Sequence, residues 1–165
     1  MPAPYNAKAV ANFFLERGRP TQMQLHKLLY YAHGWHLGFN ASPLLDEQIE
    51  AWRYGPVVPS IYREFKMFGS RPIDRLATQF DWRANRFVNV PPVRSSDELV
   101  HGLLTRVWTV YGKFTAARLS ALTHQADSPW TEAKRDNPGC VYFVIPDESI
   151  RNHFAARVAQ GRNGS

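Results

Sequence analysis

Thr21-Gln22-Met23-Gln24-Leu25-His26-Lys27-Leu28-Leu29-Tyr30-Tyr31-Ala32-His33-Gly34-Trp35-His36-Leu37-Gly38 is the stretch that decides the fold of this chain. Thr21 and Gln24 spell a capping box: the Thr oxygen accepts from the third helical amide and the Gln side chain returns to the cap. The spacing then carries a helix to about Gly38. Leu25, Leu28, Leu29, Ala32 and His36 share one face, and His26, Tyr30, His33 and Leu37 form a second ridge. A helix that is apolar or aromatic over most of its girth offers little face to water, so this one is expected to be central and buried. Gly34 and Gly38 lack a Cβ, which points to close approach of another backbone or to a frayed end.

Upstream, Asn6 caps a helix expected from Ala7 to Arg17, with Gly18 as its stop and Val10, Phe13 and Phe14 as its apolar stripe. Downstream, Ile49 to Tyr54 reads as a strand or extended segment that Gly55-Pro56 breaks. A helix from about Val57 to Phe68 follows, with Val57, Ile61, Phe65 and Phe68 inward and Pro59 tolerable only in the first turn. A short helix at Ile73 to Thr78 and a hairpin through Phe80 to Val90 are expected next. Pro91-Pro92 then forces an extended connection. Ser95 with Glu98 is a second capping box, opening a helix to Tyr111 with Leu99, Leu103, Val107 and Val110 inward. Thr115 caps Ala116 to Thr123, and Ser128 caps a helix that has Pro129 at its first position and ends at Asn137-Pro138-Gly139. Val141 to Ile145 reads as a strand or a buried extended piece, and Asp147 caps a last helix carrying Ile150, Phe154 and Val158. The expected fold class is mainly α: a single compact domain of six or seven helices with a minor short β element. Its core spans about residues 7–159, and about residues 160–165 form a frayed tail.

Length and composition fit that reading. The chain has 165 residues, 44% hydrophobic and 13% aromatic, which suits one domain with one core. The longest purely apolar run, Cys140 to Ile145, is far short of the roughly 20 residues a membrane-spanning helix needs. The N-terminus has no secretory pattern. Cys140 is the single cysteine, so neither an intrachain disulfide nor a multi-thiolate zinc site is available, and a reducing cytoplasm is the expected location. The formal charge is +6, from 20 Lys/Arg and 14 Asp/Glu. A basic chain invites a nucleic-acid partner. Residues 1–80 hold nine basic and six acidic groups and residues 81–165 hold eleven and eight, so each part carries +3 and no basic arm stands out.

The residues that suggest chemistry are few. His33 and His36 are three apart, a spacing that fits a shared metal, but no Asp or Glu lies between Thr21 and Asn40 and the His-Glu-x-x-His pattern is absent. The alternative is locally hydrogen-bonded core histidines. His124 with Asp127 suits proton transfer, or a helix C-terminus where a histidine charge complements the dipole. Cys140 is expected to be a small packing residue. Phe114 to Lys134 has the length of a helix-turn-helix, but its basic Lys134 and Arg135 fall late in the second helix, away from the base-reading end. Trp52, Arg53, Tyr54, Gly55, Pro56 and Tyr62 crowd one turn, and Trp130 follows Ser128-Pro129. These are either core and turn residues or a preorganised aromatic and arginine surface of the kind found at protein interfaces. A nucleic-acid-binding regulator of a phage or mobile element is the alternative function, and a His-dependent metal hydrolase a lower one.

Lys27 to His36, then Pro43-Leu44, then Glu50-Ala51-Trp52-Arg53-Tyr54-Gly55-Pro56-Val57-Val58-Pro59 with Tyr62 following, resembles the Panacea domain, the family of SocA-like antitoxins and phage-associated GepA proteins. Leu119-Ser120-x-Leu122-Thr123-His124, closed by Ser128-Pro129-Trp130, is similar to the family's second block. The resemblance implies a mostly helical antitoxin that neutralises a toxin encoded nearby, by direct binding or as a proteolytic adaptor delivering the toxin to ClpXP. It implies no enzymatic activity, no cofactor and no metal, makes nucleic acid an unlikely partner, and leaves the oligomeric state open. The motif positions it marks, as partner-binding or scaffold residues, are Lys27, Tyr30, Trp52, Arg53, Tyr54, Gly55, Pro56, Tyr62, Thr123, His124, Pro129 and Trp130. A motif shared by proteins that meet varied toxins is expected to be largely scaffold, with partner contacts lying in part between Arg71 and Val93.

Overall fold

Residues 3–163, which the computed structural model describes, run through seven α-helices and five short strands. In chain order these are α1 (Ala7–Leu15), α2 (Gln22–Asn40), β1 (Ile49–Trp52), β2 (Gly55–Val57), α3 (Pro59–Phe65), β3 (Thr78–Asp81), β4 (Arg86–Asn89), α4 (Glu98–Tyr111), α5 (Ala116–Thr123), α6 (Pro129–Asp136), β5 (Phe143–Ile145) and α7 (Asp147–Asn163). The chain is mainly α, as the periodicity predicts. No helix among the described residues is long and apolar enough to cross a membrane.

Both halves of the Thr21–Gln24 capping box form, at 3.2 and 2.8 Å, and they start α2. Every residue of α2 from Leu25 to Gly34 is buried, as are His36 and Leu37. The helix packs against α1, α3, α4, α5, α7 and β2, which makes it the axis of the core. Gly34 and Gly38 mark where α7 crosses. A Cβ on Gly34 would lie 2.2 Å from the Phe154 ring, and one on Gly38 2.9 Å from the Phe154 backbone. His33 ties the same joint. Its Nδ1 accepts from the Leu45 N–H at 3.2 Å, so Nε2 carries the proton and donates to Asp147 Oδ1 at 2.8 Å. His36 Nδ1 donates to the Ser42 carbonyl at 2.6 Å. His33 is thus committed on both ring nitrogens and His36 on Nδ1, and among the described residues no cluster of three metal-binding side chains occurs.

β1 pairs antiparallel with β2 on one side and with β5 on the other. Gly55-Pro56 therefore does not end the extended segment, as its composition predicts; it forms the returning strand of a hairpin, with Trp52 opposite Gly55 and Ala51 opposite Pro56. Proline is tolerated because β2 is an edge strand. The helix that follows starts two residues later than expected, with Pro59 at its first turn, and finishes in a 3-10 turn at Lys66–Phe68.

Other expectations differ from the fold as well. The helix expected at Ile73 to Thr78 is absent because its backbone groups are taken elsewhere. The Asn12 side chain binds both the N–H and the C=O of Ala77, at 2.7 and 3.1 Å, and the Ile73 N–H reaches the Pro20 carbonyl at 2.9 Å. The cap of α4 is Asp97 instead of Ser95. Its carboxylate accepts from Val100 N–H and, at 2.6 Å, from the Tyr5 hydroxyl, a charge-assisted bond that a serine lacks. That helix then buries Val100, Leu104 and Val107, leaving Leu99 65% exposed, Val110 exposed and Leu103 half-buried, so the inward face is rotated from the predicted one. Cys140 is exposed, since the turn at Gly139 lifts it and Val141 off the core. Asp147 is the first residue of α7 and faces His33. α7 itself continues through Gly161 to Asn163, where a frayed tail is expected; the rest of that tail lies outside the described residues.

The hairpin expected through Phe80 to Val90 does form, as β3 paired with β4, and it begins two residues earlier, at Thr78. It carries Trp82, 84% exposed, and Phe87, 70% exposed, with the Phe80 ring edge-on to both.

Candidate functional site

The motif residues converge on one turn. Arg53 and Tyr54 form the two-residue connection between β1 and β2, and three neighbouring helices hold its backbone carbonyls. Trp130 Nε1 of α6 donates to the Trp52 carbonyl at 2.7 Å. His124, at the end of α5, brings Nε2 to 3.4 Å from the Arg53 carbonyl oxygen. Lys27 Nζ of α2 and Ser120 Oγ of α5 both donate to the Tyr54 carbonyl, at 2.7 and 3.1 Å. The backbone of the turn is fixed while the side chains of Arg53 and Tyr54 stay exposed.

The local sequence makes this possible. Gly55 has φ near +127°, and a Cβ there would lie 3.1 Å from both Lys27 Cε and Thr123 Oγ1, so only glycine fits between the two helices. Ser128 caps α6 and also donates to the Thr123 carbonyl at 2.7 Å, joining α5 to α6. Thr123 Oγ1 donates to the Ser120 carbonyl at 2.8 Å, and Pro129 is buried at the first turn of α6. The His124 ring packs on Trp130 with centroids 3.7 Å apart. His124 therefore engages the backbone of α5 and the turn, and Asp127, its expected proton-transfer partner, instead lines a different depression beside Glu132 and His153. Tyr30 is buried deeper, against Tyr31 and Phe154, and its burial pushes the phenol pKa well up.

On the other side of the turn lies a cavity of about 680 Å³ between α2, the hairpin and the segment before β5. Trp52 forms one wall, edge-on to Tyr62 at 4.7 Å and to Tyr142 at 4.8 Å between centroids. Lys27 and His26 form another. Lys27 is 2% exposed, and burial lowers its pKa to about 8. His26 accepts the Val58 N–H on Nδ1 at 3.1 Å, which leaves the proton on Nε2. Burial, and then the nearby Lys27 charge, lower the His26 pKa to about 3, so the ring is neutral near pH 7.

Of the twelve motif residues, Lys27, Trp52, Arg53, Tyr54, Gly55, Pro56, Tyr62, Thr123, His124, Pro129 and Trp130 come together around the turn, and Tyr30 lies in the core behind it. Sequence reading misses Gln22 and Tyr142, which line the cavity. Tyr142 reaches Trp52 only because β5 pairs with β1, a contact between residues distant in the chain that periodicity does not encode. The two short helices that have the length of a helix-turn-helix are α5 and α6. The Lys134 ammonium on α6 lies 5.7 and 5.6 Å from the ring centres of Trp130 and Phe143, so this basic group is applied to the protein's own aromatic surface.

Comparison with known proteins matches residues 25–131 to the family described as antitoxin SocA-like, Panacea domain. The chain is also 34% identical over 161 residues to a protein named Antitoxin SocA from Caulobacter vibrioides (strain NA1000 / CB15N), a match that covers 93% of this chain and 84% of that one. No solved structure gives a significant match. The matched interval contains most of α2, the β1–β2 hairpin, α5 and the start of α6, the elements that build the turn, and on these grounds the chain belongs to the SocA-like antitoxin family with a Panacea domain.

Proposed function

We propose that this chain is a cytoplasmic, non-enzymatic antitoxin that binds a cognate protein toxin, encoded nearby, and neutralises it by direct contact. The observation that carries this reading is the similarity to Antitoxin SocA across nearly the whole chain. The pinned turn supports it, because a rigid backbone that presents exposed arginine and tyrosine side chains loses little freedom on association. The β3–β4 hairpin supplies a second contact, specific to the partner. Trp82 and Phe87 are both largely exposed there, next to Arg83 and Arg86, and Trp and Arg are the residues that most often dominate binding energy.

Co-expression tests this. A strain killed by the product of the neighbouring open reading frame is expected to grow when this chain is supplied, and the two purified proteins are expected to form a stable complex with no protease present. Failure to rescue overturns the reading. Delivery to ClpXP is the finer alternative within it: the toxin would then disappear faster in cells containing this chain, and only while ClpXP is active. Trp82→Ala is expected to leave the melting temperature unchanged and to weaken the complex about 10-fold or more; unchanged binding would remove the hairpin from the interface.

A further inference from the structure

Three buried side-chain polar atoms among the described residues lack a hydrogen-bond partner: Gln22 Oε1, His26 Nε2 and Trp52 Nε1. All three belong to residues lining the cavity beside the Arg53–Tyr54 turn. Two of them, His26 Nε2–H and Trp52 Nε1–H, are donors and the third, Gln22 Oε1, is an acceptor. Buried polar atoms without partners are rare in folded proteins, and three around one cavity point to a ligand, the two donors calling for an acceptor on it. His26 is 4% exposed and Lys27 2%, so neither is a surface side chain that water serves. The Lys27 ammonium lines the same cavity, holds one carbonyl, and makes no ion pair among the described residues. Buried ammonium groups are ordinarily paired with a carboxylate. No aspartate or glutamate lines this cavity, whose charged residues are Lys27 and Arg53.

The remaining surface is apolar, and it does not stop at the cavity mouth. Tyr54, Val141 and Tyr142 stand exposed around it, extending the aromatic wall of Trp52 and Tyr62 outward. A small metabolite would fill the cavity and leave that rim uncovered, whereas a polypeptide covers both.

We propose that this groove is the docking site of the partner protein and receives an acidic, apolar segment of it. A partner carboxylate meets the Lys27 ammonium and the His26 and Trp52 N–H groups, and the adjoining apolar side chain packs among Trp52, Tyr62 and Tyr142. The identity of the partner rests on the antitoxin reading; the preference for a carboxylate rests on the atoms of the groove. Trp130, His124 and Ser120 then hold the turn beside Lys27 and Trp52, so that the groove keeps its shape for the incoming acid.

Two arms test this on the full chain. In the first, N-acetylphenylalanine and its neutral amide are titrated while the Trp52 indole N–H is followed by NMR. The acid is expected to shift that signal saturably and to bind about 10-fold more tightly than the amide, the ratio one charge-assisted bond gives. Lys27→Met is expected to abolish the preference. Equal binding of the two probes, or no shift with either, overturns the proposal. In the second arm, the exposed-residue variants Arg53→Glu and Tyr142→Ser are tested for rescue beside Leu99→Ser, a control on the separate apolar face of α4. Loss of rescue by the first two at unchanged melting temperature, with rescue kept by the control, is the expected result. Full rescue by both groove variants overturns the docking site while leaving the antitoxin reading in place. A wild type that fails to rescue removes the toxin as partner, and the NMR arm still decides whether the groove takes a carboxylate.

Discussion

Lys27 sits behind the turn at the centre of the motif, and burial brings its pKa down from 10.5 to about 8. The folded chain therefore releases this proton more readily than the unfolded chain. Between pH 8 and 10.5 the unfolded state holds a proton that the folded state has lost, so this group makes stability rise with pH across that window, by about 3 kcal/mol in full. Below pH 8 the buried charge is a standing cost. Lys27→Met is expected to be more stable than wild type at pH 7, because the Tyr54 carbonyl still accepts from Ser120 at 3.1 Å when the ammonium is gone. The advantage should shrink steadily above pH 8, as urea unfolding at a series of pH values would show; an advantage constant to pH 10 would mean that Lys27 keeps its proton. His26 works at the acid end. Its folded pKa of about 3 lies below the ordinary 6.5, so its contribution to stability is present above pH 6.5 and is lost as pH falls towards 3. His26→Asn, whose amide oxygen can still accept from Val58, is expected to flatten that acid slope.

At the scale of elements, the α2–α7 joint carries the sharpest steric constraint. The space that a Gly34 Cβ would need is occupied by the Phe154 ring, and α7 has little room to retreat because His33 fixes its first residue. Gly34→Ala is expected to destabilise by about 3 kcal/mol, the upper end of ordinary overpacking. Adding Phe154→Leu should recover part of the loss, and a double-mutant cycle on melting data reads the coupling. If Gly34→Ala melts like wild type, the two helices are free to separate. How legible an element is in the sequence depends on where its hydrogen bonds go. Helix caps at Asn6, Thr21, Thr115 and Ser128 are local, linking residues two or three apart, and each forms as the sequence predicts. The segment from Ile73 to Thr78 is not local. Its helix propensity loses to Asn12 and Pro20, which lie more than fifty residues earlier. α4 shows a third case. With Leu99, Leu103 and Val110 on one side and Val100, Leu104 and Val107 on the other, the apolar pattern fits two rotations, and only contact with α1 and α2 selects one.

For the whole molecule, the charge of +6 is spread evenly along the chain, and its placement says more than its sum. Some of it is consumed internally: Lys8 and Arg75 both bind Glu64, whose carboxyl pKa they and the Thr78 amide hold down against the opposing effect of burial. Arg53 remains exposed beside a groove that has no acidic lining. Charge arranged this way speeds the approach of an acidic partner more than it deepens binding. The association rate with the toxin is thus expected to fall about 10-fold from low to high salt while the dissociation rate changes little, which stopped-flow fluorescence would resolve. A salt dependence carried mainly by dissociation would place the charges inside the contact instead of around it.

Capping and helical periodicity act over a few residues, and the motif blocks are contiguous, so the mainly helical fold, α2 as its axis and the blocks of a SocA-like antitoxin are all legible in the chain's order of residues. Gly55-Pro56 becomes a strand, and Lys27, Ser120, His124 and Trp130 meet on one turn, through packing between distant elements. Only through that packing does Tyr142 complete a groove with His26 and Trp52. These contacts join residues from about thirty to more than a hundred positions apart, and packing around α2, which no local rule records, brings them together.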